Sequence, residues 1–477
     1  MRRALLLGLL LGAGCASTSP GESFRDVSAA VEQRSGHGLY WNRGTPEDAQ
    51  AEAATDRLLG NPLGAAQAIE VALLNNRTLT ATYEELSVAQ ADVVQAGLLR
   101  NPVFGAGMTV AEGDRLDPNL ELSLAWDFLD LLMAPAKTKI AATEREATQA
   151  RVADVVLDVV ADVQRAYFAL VAAQQVAAMR KVVADAAQAS ADLAAEQSNA
   201  GNINDLTLTN EQSSYEQFAL DLAQAQAEVA EAHERLARLL GVWGKRALFR
   251  VADRLPEVPA EDTPVDRLES LAIAQRLDLE AMRKEREAIG RTLSLVESTR
   301  FTPGIGVGVS AGRLTDGNIS VAPSGSLELP IFDQKQAQVA RLEAMLRASD
   351  DRLRARAVDI RAEVRAARQR MDYARATVAH FRARVIPLRE RLVALSQQQY
   401  DAMLLGVYQL LAAKQSEVSA YREAIEAARN YWLARVDLER AVAVRLPSTT
   451  PAAQQTQTPP APEPPAHEHH HPSTGNP

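Results

Sequence analysis

Leu120-Glu121-Leu122-Ser123-Leu124-Ala125-Trp126-Asp127-Phe128 alternates from end to end. Extended, it puts Leu120, Leu122, Leu124, Trp126 and Phe128 on one face and Glu121, Ser123, Ala125 and Asp127 on the other. That is the pattern of a strand with two different surroundings. The residues after it are foreign to an all-β protein. From near Pro135 to about Ser198 there is no further Pro or Gly, so one helix on the order of 95 Å long is expected, against a usual helix of about 11–12 residues. Short two-faced strands feeding very long helices decide the fold class: mainly α with a small β part.

Three more segments alternate in the same way. Val103 to Val110 has its larger apolar residues at Phe104, Met108 and Val110. Ile305, Val307, Val309 and Ala311 face away from Gly304, Gly306, Gly308 and Ser310. Ser326-Leu327-Glu328-Leu329-Pro330-Ile331 follows a first stretch at Ile319–Val321. Strands are expected near 103–111 and 119–129, and near 304–312 and 318–332, each pair joined by a polar link, Glu112-Gly113-Asp114 or Asp316-Gly317-Asn318. Their length suits tilted transmembrane strands of roughly 9–11 residues. Four strands cannot close a barrel in lipid, because two unpaired edges would remain. Several chains must therefore contribute staves to one barrel, and three giving twelve strands is the natural closure.

The strands belong to a duplication. Ala68 to Leu73 with Arg77-Thr78-Leu79 precedes the first pair, and Leu271 to Ala274 with Arg276-Leu277-Asp278-Leu279 precedes the second. The first long helix turns back at Asn199 to Asp205. The returning helix carries a heptad, Tyr215, Leu222, Val229 and Leu236 with Phe218, Ala225, Ala232 and Leu239, as in a coiled coil. Shifting by 203 residues gives Val418, Ile425, Trp432 and Glu439 with Tyr421, Ala428, Arg435 and Val442, a seam that frays at Arg435 and Glu439. The first repeat is set at 61–242, an irregular equatorial segment packed across the helices at 243–263, and the second repeat at 264–446. The strand-to-helix joints should differ, since Pro330 closes the last strand while the first copy reads Ala125-Trp126-Asp127-Phe128 and meets Pro135 later.

The ends differ in kind. Arg2-Arg3 and the short apolar run Ala4–Leu11 make residues 1–14 a signal peptide, too short to span a bilayer. Cys15, the chain's lone cysteine, lies behind Gly12-Ala13-Gly14, similar to a lipoprotein box although Gly12 stands where Leu is favoured. Acylation there would anchor an N-terminal extension, 15–60. Residues 447–477 are rich in Pro, Thr, Gln and His and are expected to be disordered. Within them His467, His469, His470 and His471 form a candidate site for weak binding of borderline divalent metals. A net charge of −10 and a pI near 5.4 exclude a phosphate-neutralising nucleic-acid binder. His37, His233 and His380 are scattered, with no zinc spacing or Gly-rich phosphate loop nearby. No catalytic constellation and no cofactor are expected.

In this order the segments resemble the TolC-type outer-membrane efflux factor family, in its lipoprotein branch that partners resistance-nodulation-division pumps. The residues that carry the resemblance are the Ala68–Leu79 helix, Ala96-Gly97-Leu98-Leu99-Arg100-Asn101-Pro102 before the first strand, Leu329-Pro330-Ile331-Phe332-Asp333 after the last, and the Tyr400–Leu411 tip. The resemblance covers roughly residues 60–446. It implies a homotrimer with a twelve-stranded outer-membrane barrel and a twelve-helix periplasmic tunnel, a passive exit duct whose tips meet a periplasmic adaptor and an inner-membrane pump. Family members narrow at the tips between acidic residues, which makes Asp205 and Asp401 the aperture candidates. Gly201, Ile203, Met403, Leu404, Leu405 and Gly406 are the candidates for adaptor contact. The His-rich tail points the cargo toward heavy-metal cations. A drug or small-molecule duct of the same type, or a structural periplasmic coiled-coil lipoprotein, are the other readings.

Overall fold

The computed structural model describes residues 19–110, 118–127, 129–261, 267–313 and 318–447. Cys15 with the signal segment, the His-rich tail and most of both strand links lie outside them. The elements are α1 (Gly21–Ser35), α2 (Asp48–Leu59), α3 (Ala65–Asn75), α4 (Arg77–Gly97), β1 (Val103–Val110), β2 (Pro118–Asp127), α5 (Leu129–Asn199), α6 (Asp205–Leu240), α7 (Leu268–Gln275), α8 (Leu277–Thr299), β3 (Gly304–Arg313), β4 (Ile319–Glu328), α9 (Gln336–His380), α10 (Ile386–Asp401) and α11 (Val407–Val442).

The duplication is visible at the backbone joints. α3 breaks into α4 at Asn76 (φ −71°, ψ 110°), and α7 breaks into α8 at Arg276 (φ −71°, ψ 127°). Asn76 caps its helix, its side-chain oxygen accepting from the amides of Thr78 and Leu79, which satisfies N–H groups that no helical carbonyl can reach. α5 runs for 71 residues, about 105 Å at 1.5 Å per residue. It starts at Leu129, six residues before the expected Pro135, so Pro135 stands inside the helix and leaves the Leu131 carbonyl without a helical amide donor. β2 ends at Asp127 and β4 at Glu328, short of 129 and 332. Past Glu328 the chain meets Pro330, which lacks a donor for the ladder, and α9 begins at Gln336. The two joints differ accordingly.

α5 is flanked by α6 on one side and α11 on the other, and α11 in turn packs on α9 and α10. Above them the order is α4, α5, α8, α9. A π-helical turn, Phe381–Val385, separates α9 from α10. It precedes Pro387, whose missing N–H cannot complete an α-helical bond, and the wider turn accommodates the defect. α5 has no such interruption.

The second seam corrects the expected register. At the two tips, Gly201 N donates to Ser198 O and Asn202 N to Gln197 O; Met403 N donates to Tyr400 O and Leu404 N to Gln399 O. The offset is 202 residues, not 203. Applied to the first heptad it gives Glu417, Ala424, Tyr431 and Leu438 with Ala420, Ala427, Ala434 and Ala441. Tyr431, Leu438 and those last four alanines are buried. One residue turns a helix by about 100°, so the 203-residue shift moved the seam off the packed face. Nor does the helix fray at Arg435 and Glu439: they form an ion pair of 3.2 Å with little exposure.

The core has two clusters. One gathers α1, α3, α4, α5 and the top of α6 around Val27, Leu79, Tyr83, Leu170 and Leu240. The other joins α7–α9 and α11 around Ile360, Val364, Tyr431 and Leu438. The segment after α6 spans them: Phe249 and Val251 sit in the first and Val258 in the second. Leu63 and Val251 form a parallel bridge, and the Trp432 indole donates to Pro256 O at 3.0 Å while stacking on Phe168.

Candidate functional site

The four strands form one antiparallel sheet in the order β1-β2-β3-β4. Register places Ala106 opposite Leu122, Leu122 opposite Ala311, and Ala311 opposite Val321. Parity then collects Phe104, Met108, Leu120, Leu122, Leu124, Trp126, Val307, Val309, Val321 and Leu327 on a single face, all of them exposed. The opposite face reads Gly105, Gly107, Glu121, Ser123, Asp127, Gly306, Gly308, Ser310, Ser324 and Ser326, small and polar. An apolar face of this extent is costly in water and is what the hydrocarbon of a bilayer covers. The side chains opposite the glycines show how close the small face is packed: a Cβ on Gly306 would collide with Ser326 Oγ.

At the base of the sheet the Trp126 indole donates to Arg100 O at 2.8 Å. Beneath it, Asp130 receives Lys137 at 2.7 Å and Arg100 at 2.5 Å. The hydrogen bond from Lys137 holds the Asp130 carboxyl below its ordinary range. An indole above a cluster of cations is the arrangement favoured at a membrane–water boundary.

At the far end of the helices, Asp205 is exposed in the first turn of α6, behind Asn204, whose side chain accepts from the Thr207 amide. Asp401 ends α10 and accepts from the Gln397 amide group at 2.8 Å. The 202-residue offset pairs Asp205 with Val407 and Asp401 with Asn199, so the two carboxylates occupy opposite sides of their turns. Gly201 holds φ +75°, the left-handed region natural to glycine, while its counterpart Met403 holds φ +58°. Met403 is 94% exposed and Leu404 79%, whereas Ile203 and Leu405 are half-buried. Gly406 is extended at the start of α11. The apolar candidates thus concentrate on the second tip.

An ionic junction escaped the sequence reading. Asp278 receives both Arg276 and Arg356, each at 2.8 Å, and Glu363 receives the same two arginines at 2.5 and 2.8 Å. Burial raises both carboxyls, but hydrogen bonds from the arginines outweigh it and leave Asp278 and Glu363 low. Nearby, Arg440 of α11 bridges Asp154 and Asp158 of α5, and there burial prevails, pushing Asp154 up. The four residues Arg276 to Leu279 were legible as a repeat, yet their partners lie some eighty positions away.

Among the described residues no group of three or more His, Cys, Asp or Glu side chains could hold a metal ion, and no helix is long and apolar enough to cross a membrane.

A family model for "outer membrane efflux protein" matches residues 68–242, the span from α3 through the first strand pair to the end of α6. Over that span the chain resembles the outer membrane efflux protein family. The cobalt-zinc-cadmium resistance protein CzcC of Cupriavidus metallidurans is 28% identical over 294 residues, 59% of this chain and 66% of CzcC, so the chain matches just under two thirds of that relative. A membrane protein from Pseudomonas aeruginosa superposes with a TM-score of 0.68 at 21% identity, covering 82% of this chain and 92% of that one. CusC, solved in work on its folding and transmembrane channel formation, gives 0.67 at 17% identity, with 79% and 91% covered. These structures share this chain's fold of long helices and strands.

Proposed function

We propose that this chain is the outer-membrane channel of an efflux assembly, a passive exit duct and not an enzyme. The observation that carries the proposal is the sheet: an uncovered apolar face, a small polar face, and two unpaired edges, β1 and β4. Lipid answers the first, an aqueous lumen the second and neighbouring copies the third. Three copies in a ring would join each β4 to the next β1 and give twelve strands over twelve long helices. Cys15 would carry the covalent lipid that adds a second hold on the outer membrane. The tips would meet a periplasmic adaptor and through it an inner-membrane pump of the resistance-nodulation-division type, with Met403 and Leu404 in contact.

The expected cargo is heavy-metal cations. The likeness to a protein named for cobalt, zinc and cadmium resistance supports this, as do His467, His469, His470 and His471 in the tail, which could hold such ions weakly on their way out. Deleting the gene and growing cells on graded zinc, cobalt, cadmium, copper and nickel alongside a drug panel tests it. Lost metal tolerance is expected; intact metal tolerance with lost drug tolerance would transfer the duct to small molecules. Outer-membrane fractionation with a heat-modifiable oligomer is expected in either case, and a soluble monomer would sink the channel itself.

A further inference from the structure

The layer of helices has two open flanks. α6 packs on α5 along its shaft, and α10 packs on α11; these flanks continue the sheet edges β1 and β4. Each carries a second, outward heptad stripe. On α6 it is Glu216, Leu220, Ala223, Ala227, Ala230 and Glu234, all exposed. On the π-turn and α10 it is Arg384, Leu388, Arg391 and Leu395, also exposed. The spacing of four and three repeats that of the buried seams, so each stripe is a continuous ridge along one side of its helix. Leu220 at 65% and Leu388 at 64% exposure are the large apolar side chains at the centre of each ridge.

Charge separates the two stripes. Residues 205–234 contain no Lys or Arg, while 376–400 contain Arg382, Arg384, Arg389 and Arg391 against the lone acid Glu390, which is engaged by Tyr421. Heights agree as well. Measured from the tips at Ile203 and Leu404, Glu216 and Arg391 both lie about 20 Å up, and Leu220 and Leu388 both about 25 Å. The helices run in opposite directions, so the match holds along the ridge.

We infer that the outer stripe of α6 in one copy zips against the α10 stripe of the next copy, with Leu220 on Leu388 and Glu216 paired to Arg391, making the charged flanks the selector of ring closure. This rests on the trimeric reading of the proposed function and adds the surface that makes it. The contact is head-to-tail, which gives a ring when the rotation between copies closes; like charges brought together by a wrong docking, α6 on α6 or α10 on α10, would repel.

The test uses the full chain in membranes, with Leu220→Cys and Leu388→Cys combined and a short bismaleimide added. A chain without the added cysteines subtracts any reaction of Cys15. A covalent ladder ending at the trimer is the expected result, absent from either single variant. Separately, Glu216→Arg or Arg391→Glu alone should weaken the trimer and the two together should restore it. No cross-link in a protein that still forms a heat-modifiable trimer overturns the seam and leaves the duct standing. Failure of the double reversal to improve on the single ones overturns the pairing. Loss of both oligomer and cross-link in the cysteine variant, with the unaltered chain also monomeric, defeats the inference together with the channel.

Discussion

Met403 occupies a backbone conformation that costs a residue with a Cβ roughly 1–2 kcal/mol, and the repeat already holds the inexpensive solution, Gly201, at the matching place. The side chain stands almost wholly in solvent, so nothing within the chain offsets the strain. Met403→Gly is expected to raise stability by about 1 kcal/mol in a denaturant melt while weakening binding of the proposed adaptor; unchanged adaptor binding would remove Met403 from the proposed contact. Arg276 is the opposite case. It is buried against two carboxylates, and Arg276→Ala should cost about 3 kcal/mol, because Asp278 and Glu363 would lose a partner inside the protein. The same junction sets a pH dependence. Asp278 and Glu363 sit below their unfolded values, so their contribution is complete above about pH 5 and is lost as pH falls through the lower folded values. Denaturant midpoints should therefore drop on acidification, and Asp278→Asn should flatten that drop; an unchanged slope would assign it to other groups.

A helix reports its register only through what it buries. The heptad of α6 was legible because Tyr215, Leu222, Phe218 and Leu236 are large. That of α11 hides in alanines at 420, 427, 434 and 441, which also occur abundantly off the seam. Larger side chains nearby, Val418, Ile425 and Trp432, drew the register one residue away. The structure makes the distinction measurable. Ala420→Leu should cost about 2 kcal/mol by overpacking α11 against α9 and α10, whereas Ser419→Leu, one step round an exposed face, should be nearly neutral. Equal penalties in thermal unfolding would contradict the 202-residue register. The strands follow the converse rule: alternation alone assigned both faces, since a period of two leaves no freedom beyond a flip of the whole set.

Across the whole molecule, the sheet decides where the protein resides. Leu122→Arg places a charge on the apolar face and should cost about 3 kcal/mol near the middle of a bilayer, while Ser123→Arg, one position on, should be better tolerated because it faces the small polar side. Comparing heat-modifiable oligomer in outer membranes from the two variants reads this directly; equal loss would deny the sheet two environments. Open edges in the strands and open flanks in the helices lie on the same two sides of the chain. A single association can therefore satisfy both, with backbone pairing above and the Leu220–Leu388 ridge below.

The sequence by itself determined the long helices, the two-faced strands, the duplication and the resemblance to the family. Each rests on local periodicity, absence of helix breakers or fixed spacing, and these need no knowledge of neighbours. Tertiary structure alone decided the register of the alanine seam, the unequal tips beneath an equal backbone, and the Arg276–Asp278–Arg356–Glu363 junction. It also showed which exposed stripes remain once the inner seams are filled. Those depend on which side of a helix is already occupied and on partners far apart in the chain. A turn of about 100° per residue makes them invisible to any reading that does not first place the helices together.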